Sequence, residues 1–229
     1  MEYPHNRPYT ADDLVRIITL LRDPVNGCPW DKVQTHTSIR MNFLEEAYEA
    51  VDALDLDDPV LMCEELGDVL MQVAFHTCME QETGRFTWEQ VCDGVCQKLI
   101  ERHPNIFGTQ PGYEGITDWD ALKNKEKGRR TLADDLESVP RAMPALMRAA
   151  KLQKRAARHS AALQGADAAA LADAAENLQT AQPASAQAEQ AVGELLFAAA
   201  NLARQAGVDP EQALQKANEA FCTAAGPVA

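Results

Sequence analysis

Leu44-Glu45-Glu46-Ala47-Tyr48-Glu49 and Glu64-Glu65-Leu66-Gly67-Asp68 are two acidic stretches set on either side of the turn Asp55-Leu56-Asp57-Asp58-Pro59, and their pairing decides the fold. From Leu61 to Met79 the second stretch runs nearly apolar all round, through Met62, Cys63, Leu66, Val69, Leu70, Met71, Val73, Ala74 and Phe75, which predicts a buried helix. Its polar residues Glu65, Asp68, Gln72 and His76 are three or four apart and share one narrow stripe. The first stretch predicts a helix over residues 39–54, with Leu44, Ala47, Tyr48, Val51 and Leu54 as the apolar side and Glu45, Glu46 and Glu49 opposite. Asp57 or Asp58 can cap the next helix, with Pro59 at its first position. So short a connection makes the two helices antiparallel neighbours.

Glu46 and Glu49 can then face Glu65 and Asp68. Carboxylates withdrawn from water are costly unless a positive charge meets them. Divalent cations satisfy that demand, and an all-oxygen donor set points to magnesium or manganese rather than zinc. The competing reading is that Glu45, Glu46 and Glu49 are the solvated side of an amphipathic helix. Gln72 and His76 read as hydrogen-bonded core residues rather than ligands.

The order Glu-Glu-x-x-Glu, fifteen residues, Glu-x-x-Asp resembles the all-α nucleoside triphosphate pyrophosphohydrolases of the MazG type. The flanks carry the same likeness: Gly27-Cys28-Pro29-Trp30-Asp31 and Gln34-Thr35-His36 lie before the first acidic helix, and Arg102-His103-Pro104 lies beyond. The resemblance covers most of residues 10–130. It implies magnesium-dependent hydrolysis between the α and β phosphates of a nucleoside triphosphate, releasing a nucleoside monophosphate and pyrophosphate. Glu46, Glu49, Glu65 and Asp68 are then the metal ligands, with Glu45 beside them to orient or deprotonate water. Arg102, Lys123 and Lys127 are candidate phosphate contacts. Trp30, in a Pro- and Gly-bearing loop, is either a packing plug or a platform for the base.

Along the rest of the chain, Thr10 with Asp13 caps a first helix through Leu14, Ile17, Ile18 and Leu21. Gly84 ends the second acidic helix, and Thr87 with Gln90 opens another over Trp88–Arg102 with Val91, Val95 and Leu99 inward. Residues 105–117 read as a loop. Asp118 then caps a short basic helix containing Lys123, Lys125, Lys127, Arg129 and Arg130. Residues 131–137 read as a linker, and Pro140 and Pro144 open a basic helix running to Arg158. Farther on, Gly193-Glu194-Leu195-Leu196 echoes Gly67-Asp68-Val69-Leu70, and Leu171–Glu176 echoes Leu44–Glu49. Ala191 stands where Glu65 would be, and an alanine cannot hold a cation.

The expected architecture is therefore all-α, with two MazG-like units of four-helix-bundle type and the second degenerate. Residues 1–130 form the catalytic domain, 131–158 a linker and basic helix, and 159–229 a truncated copy. The resemblance implies a homodimer. A net charge of −14 argues against a nucleic-acid polymer as partner, though not against a free nucleotide that arrives with its own cation. The six cysteines show no Cys-x-x-Cys spacing and read as reduced, mostly buried thiols, while Cys92 and Cys96, one turn apart, lack the second pair a metal site would need. No signal peptide or apolar span of about 20 residues is apparent, so a cytoplasmic protein off the membrane is expected.

Two other functions fit parts of the pattern. A di-iron bundle would need Glu-x-x-His on two helices, and Glu2 to His5 in the N-terminal arm is the lone instance. A non-enzymatic helical interaction module would use the acids as a binding surface only.

Overall fold

The computed structural model describes residues 3–5, 7–104, 106–108, 127–128, 131–159 and 166–226. Among them are nine α-helices, one 3-10 turn and no strand, in two compact units, Met1–Ile116 and Thr117–Ala229.

In the first unit, α1 (Ala11–Leu21) begins at a reciprocal cap between Thr10 and Asp13. Helix α2 (Arg40–Asp55) is followed by α3 (Pro59–Glu82), where the Asp58 carboxylate accepts from the amides of Val60 and Leu61 and Pro59 opens the helix. Gly84, at φ 70°, turns the chain after α3, and the Thr87–Gln90 box starts α4 (Trp88–Arg102). The core lies where α1 crosses the C-terminal half of α3: Val15 and Ile18 meet Ala74, Phe75, Cys78 and Met79, with Ile39 closing it from the start of α2. Full burial of each larger side chain there stabilises by about 1.5–3 kcal/mol.

Arg22 ties the loop after α1 to that core. Its guanidinium forms a two-point pair with Glu82 (2.5 and 2.8 Å), donates to the carbonyls of Asp31 and Gln34, and lies 5.2 Å from the centre of the Phe75 ring. At Gly27 the turn is so tight that a Cβ would sit 2.4 Å from the carbonyl oxygens of Leu21 and Asp23. That closeness requires glycine.

Three helix orientations differ from the sequence expectation. In α2 the residues turned inward are Ala50 and Ala53, with Glu46 half-buried on the same side, while Tyr48, Val51 and Leu54 are 53, 50 and 51% exposed. Small side chains let α2 approach α3 closely, and the larger apolar groups are left outside. Helix α3 is buried only from about Met71 onward, because α1 covers that half alone; Val60, Leu66 and Leu70 are exposed. In α4, Val91 is half-buried but Val95 and Leu99 are exposed rather than inward. The cysteines are all free as expected, yet Cys78 alone is buried, and Cys63, Cys96 and Cys222 are exposed.

The second unit contains α5 (Leu132–Glu137), α6 (Ala145–Arg158), α7 (Ala168–Thr180), α8 (Ala186–Gln205) and α9 (Pro210–Ala225). The stretch 131–137, read as a linker, is instead a capped helix: Thr131 and Asp134 form its box, and Asp135 is buried against Arg155 of α6. One buried ion pair converts an apparent spacer into part of the unit. Gln153 on α6, fully buried, donates to the Phe197 carbonyl of α8 at 2.7 Å.

Candidate functional site

Helices α2 and α3 lie antiparallel and meet in rungs. The His76 ring stands edge-on to Phe43, with centroids 5.8 Å apart. One turn along, the Gln72 amide donates to Glu46 at 3.4 Å. The next rung is carboxylate: Glu46, Glu49 and Glu65 each place an oxygen within 4.8 Å of the others. Among the described residues no other set of three or more His, Cys, Asp or Glu side chains does so, and Cys92 and Cys96 belong to none.

Among the described residues no basic side chain relieves the charges there. Removal from water holds the Glu46 carboxyl above its usual pKa, and Asp68, Glu49 and Glu65 add repulsion, while the Gln72 amide works the other way. Glu65 is raised for the same first reason, followed by Glu49, Asp68 and Glu64. Asp68 is thus an electrostatic neighbour of Glu46 and Glu65, although its oxygens fall outside the tight set. Glu46, Glu65 and Asp68 are half-buried and Glu49 is exposed, so the acids open on the surface instead of lining an enclosed hollow. All-oxygen donors at this separation, with no cationic partner among the described residues, suit a hard divalent ion.

The polar stripe of α3 continues past the acids into a network that sequence reasoning missed. His76 Nδ1 lies 2.7 Å from His36 Nδ1 with the rings stacked, His36 Nε2 lies 2.5 Å from Glu80, and Glu80, 6% exposed, is also held by Arg85 at 2.6 Å. His36 belongs to Gln34-Thr35-His36, so the network fastens the loop and the start of α2 to α3. Burial and the second imidazole hold His76 below its usual pKa. The available signal was the step of four from Gln72 to His76 to Glu80; nothing in it pointed to His36, forty residues away.

Of the remaining candidates, Glu45 is exposed on α2. Trp30 is 56% exposed and touches Phe75 by an edge, with centroids 6.5 Å apart, so it is not a packing plug. Arg102 is buried, at 8% exposure. Lys127 is exposed in a turn of the second unit, and Lys123, with Asp118, Lys125, Arg129 and Arg130, lies outside the described residues.

Comparison with known proteins gives the chain its relatives. Residues 34–107 match the model of the MazG nucleotide pyrophosphohydrolase domain. The chain is 40% identical to the nucleoside triphosphate pyrophosphohydrolase of Escherichia coli (strain K12), over 92% of its own length and 83% of that protein. It is 38% identical to the nucleoside triphosphate pyrophosphohydrolase/pyrophosphatase MazG of Thermotoga maritima, over 92% and 82% of the two chains. A nucleoside triphosphate pyrophosphohydrolase of Mycobacterium tuberculosis is 35% identical over 64% of this chain and 45% of its own. No helix among the described residues is long and apolar enough to cross a membrane.

Proposed function

This chain belongs to the MazG nucleotide pyrophosphohydrolase family, and from that premise we propose that it hydrolyses nucleoside triphosphates to a monophosphate and pyrophosphate at the carboxylates of α2 and α3. The observation that carries the reading is the convergence of Glu46, Glu49 and Glu65 with no basic partner among the described residues. Glu46, Glu49 and Glu65 would hold a magnesium ion, with Asp68 beside them as the fourth carboxylate. The bound ion would offset phosphate charge and lower the pKa of water for in-line attack. Glu45, exposed beside the set, orients or deprotonates that water, and the open face of Trp30 offers the base a stacking surface. Arg102, Lys123 and Lys127 are the proposed phosphate contacts. Turnover in the cytoplasm on free nucleotides, as pool housekeeping, fits the acidic surface.

With a mixed nucleoside triphosphate pool, pyrophosphate release is expected with magnesium or manganese, to vanish in excess EDTA, and to return when the ion is restored. Release that persists in EDTA would remove the metal from the reading. Binding of nucleotide without any turnover would favour the interaction-module alternative.

The second unit reads as a degenerate copy. Asp173 of α7 and Glu194 of α8 line one cavity of about 690 Å³ with Asn177 and Gln190, while Ala191 occupies the position corresponding to Glu65 and is buried. Activity is accordingly assigned to the first unit.

We also propose a homodimer through the first unit, because Tyr48, Val51, Leu66, Leu70, Val95 and Leu99 are large apolar groups that its own packing leaves exposed. Light scattering of the whole chain is expected to give twice the monomer mass, and Val51→Glu with Leu70→Glu to halve it. An unchanged mass in the double variant would place the contact elsewhere.

A further inference from the structure

Gln72 has two polar ends in different circumstances. Its Nε2 donates to Glu46 Oε1 at 3.4 Å, and its Oε1 is buried with no hydrogen-bond partner among the described residues. The side chain is 7% exposed, so bulk water does not serve that oxygen. Exchanging the two ends by an amide flip would turn the carbonyl toward the Glu46 carboxylate, two acceptors face to face, so the ionised site fixes the orientation. A buried amide oxygen without a donor is costly. An apolar side chain of similar length would fill the space without that cost, so packing does not account for a glutamine here.

Position supplies what packing does not. Gln72 sits one rung from the carboxylate set, on the same face of α3 as Glu65 and Asp68. His76, one turn beyond, is anchored by Phe43 and by His36, itself held by Glu80, which fixes the height of α3 against α2 at this rung. The amide is therefore held on a rigid element rather than on a loop.

We infer that Gln72 is a positioning residue for the cation site: its Nε2, donating to Glu46 Oε1, sets the rotamer of that carboxylate. This rests on the metal-site reading above. Groups that orient ligands in this way are commonly worth 10–100-fold in metal affinity, as outer-shell partners of other sites are.

The test uses the full chain and manganese alone, titrated by calorimetry or by the electron paramagnetic resonance of free Mn²⁺, with no nucleotide present. Gln72→Met and Gln72→Leu are expected to melt in EDTA at or above the wild-type temperature, because the orphaned oxygen is gone, and to bind Mn²⁺ at least about tenfold more weakly. Affinity within twofold of wild type in either folded variant overturns the inference. So does a parallel fall in EDTA melting temperature and affinity, which is the mark of a purely structural glutamine. If the wild-type chain itself binds no Mn²⁺, the metal-site reading fails instead, so the two failures are distinguishable.

Discussion

Glu65→Gln is expected to lower kcat for pyrophosphate release by roughly 10³-fold, while the same variant, stripped of metal, becomes more stable than the parent at neutral pH. The first effect follows from losing one carboxylate of a set that offsets several kcal/mol of transition-state charge through its ion. The second follows from the same repulsion, because desolvation and the charges of Glu49 and Asp68 hold the Glu65 carboxyl above its usual pKa in the folded chain. A carboxyl raised on folding binds its proton more readily in the native state. Native stability from this source is therefore present at low pH and is lost as pH rises from the ordinary carboxylate value through the raised one. Glu46 adds to the trend with the same sign.

In EDTA the parent should thus gain denaturation midpoint as pH is lowered from 7 toward the carboxylate range, and Glu65→Gln should flatten that slope. With saturating Mg²⁺ the order should invert, the parent gaining more because it binds the ion better. Glu45→Gln is the internal control, since Glu45 is exposed and outside the close set: its slope should match the parent, whatever happens to its rate. Should Glu65→Gln keep a tenth or more of parental turnover, the carboxylates of α2 and α3 are not the site.

This coupling of function to strain explains which features the sequence made legible. Helix ends were readable because caps are local chemistry: Thr10 with Asp13, Asp58 with Pro59 and Thr87 with Gln90 stand where expected. The meeting of Glu46 and Glu49 with Glu65 was readable because a short turn leaves two helices little choice but to pair. The rotation of α2 was not, since amphipathic reasoning assigns large apolar groups to the interior of the same chain. Here Ala50 and Ala53 take that place, and Tyr48, Val51 and Leu54 face outward. Nor was Gln72 legible as part of the site: a glutamine on a helix has no distinctive chemistry until its partner is known, and the contact with Glu46 is set by register, not by motif. His36 reaches His76 only through the path of a loop pinned by Arg22.

The second unit yields the other large effect, at a place where composition suggested only a spacer. Asp135, 1% exposed, takes Arg155 at 3.0 Å, His159 at 3.2 Å and Arg158 at 3.8 Å, and its backbone carbonyl accepts from Arg155 and from the Ser138 hydroxyl. Asp135→Ala leaves the Arg155 guanidinium, itself 7% exposed, without its counter-charge, and is expected to destabilise the unit by about 3–5 kcal/mol. For a domain of this size that is a fall in Tm on the order of 15 °C or more, readable by calorimetry. The loss should come from the stranded cation rather than from the missing attraction, because a buried pair repays little beyond its own desolvation. Asp135→Leu combined with Arg155→Met should therefore recover most of it, whereas Asp135→Leu alone should not. A double variant as unstable as the single one would mean that the hydrogen bonds of Arg155 to the Asp135 carbonyl and to Ser138, not the ion pair, hold α5 against α6.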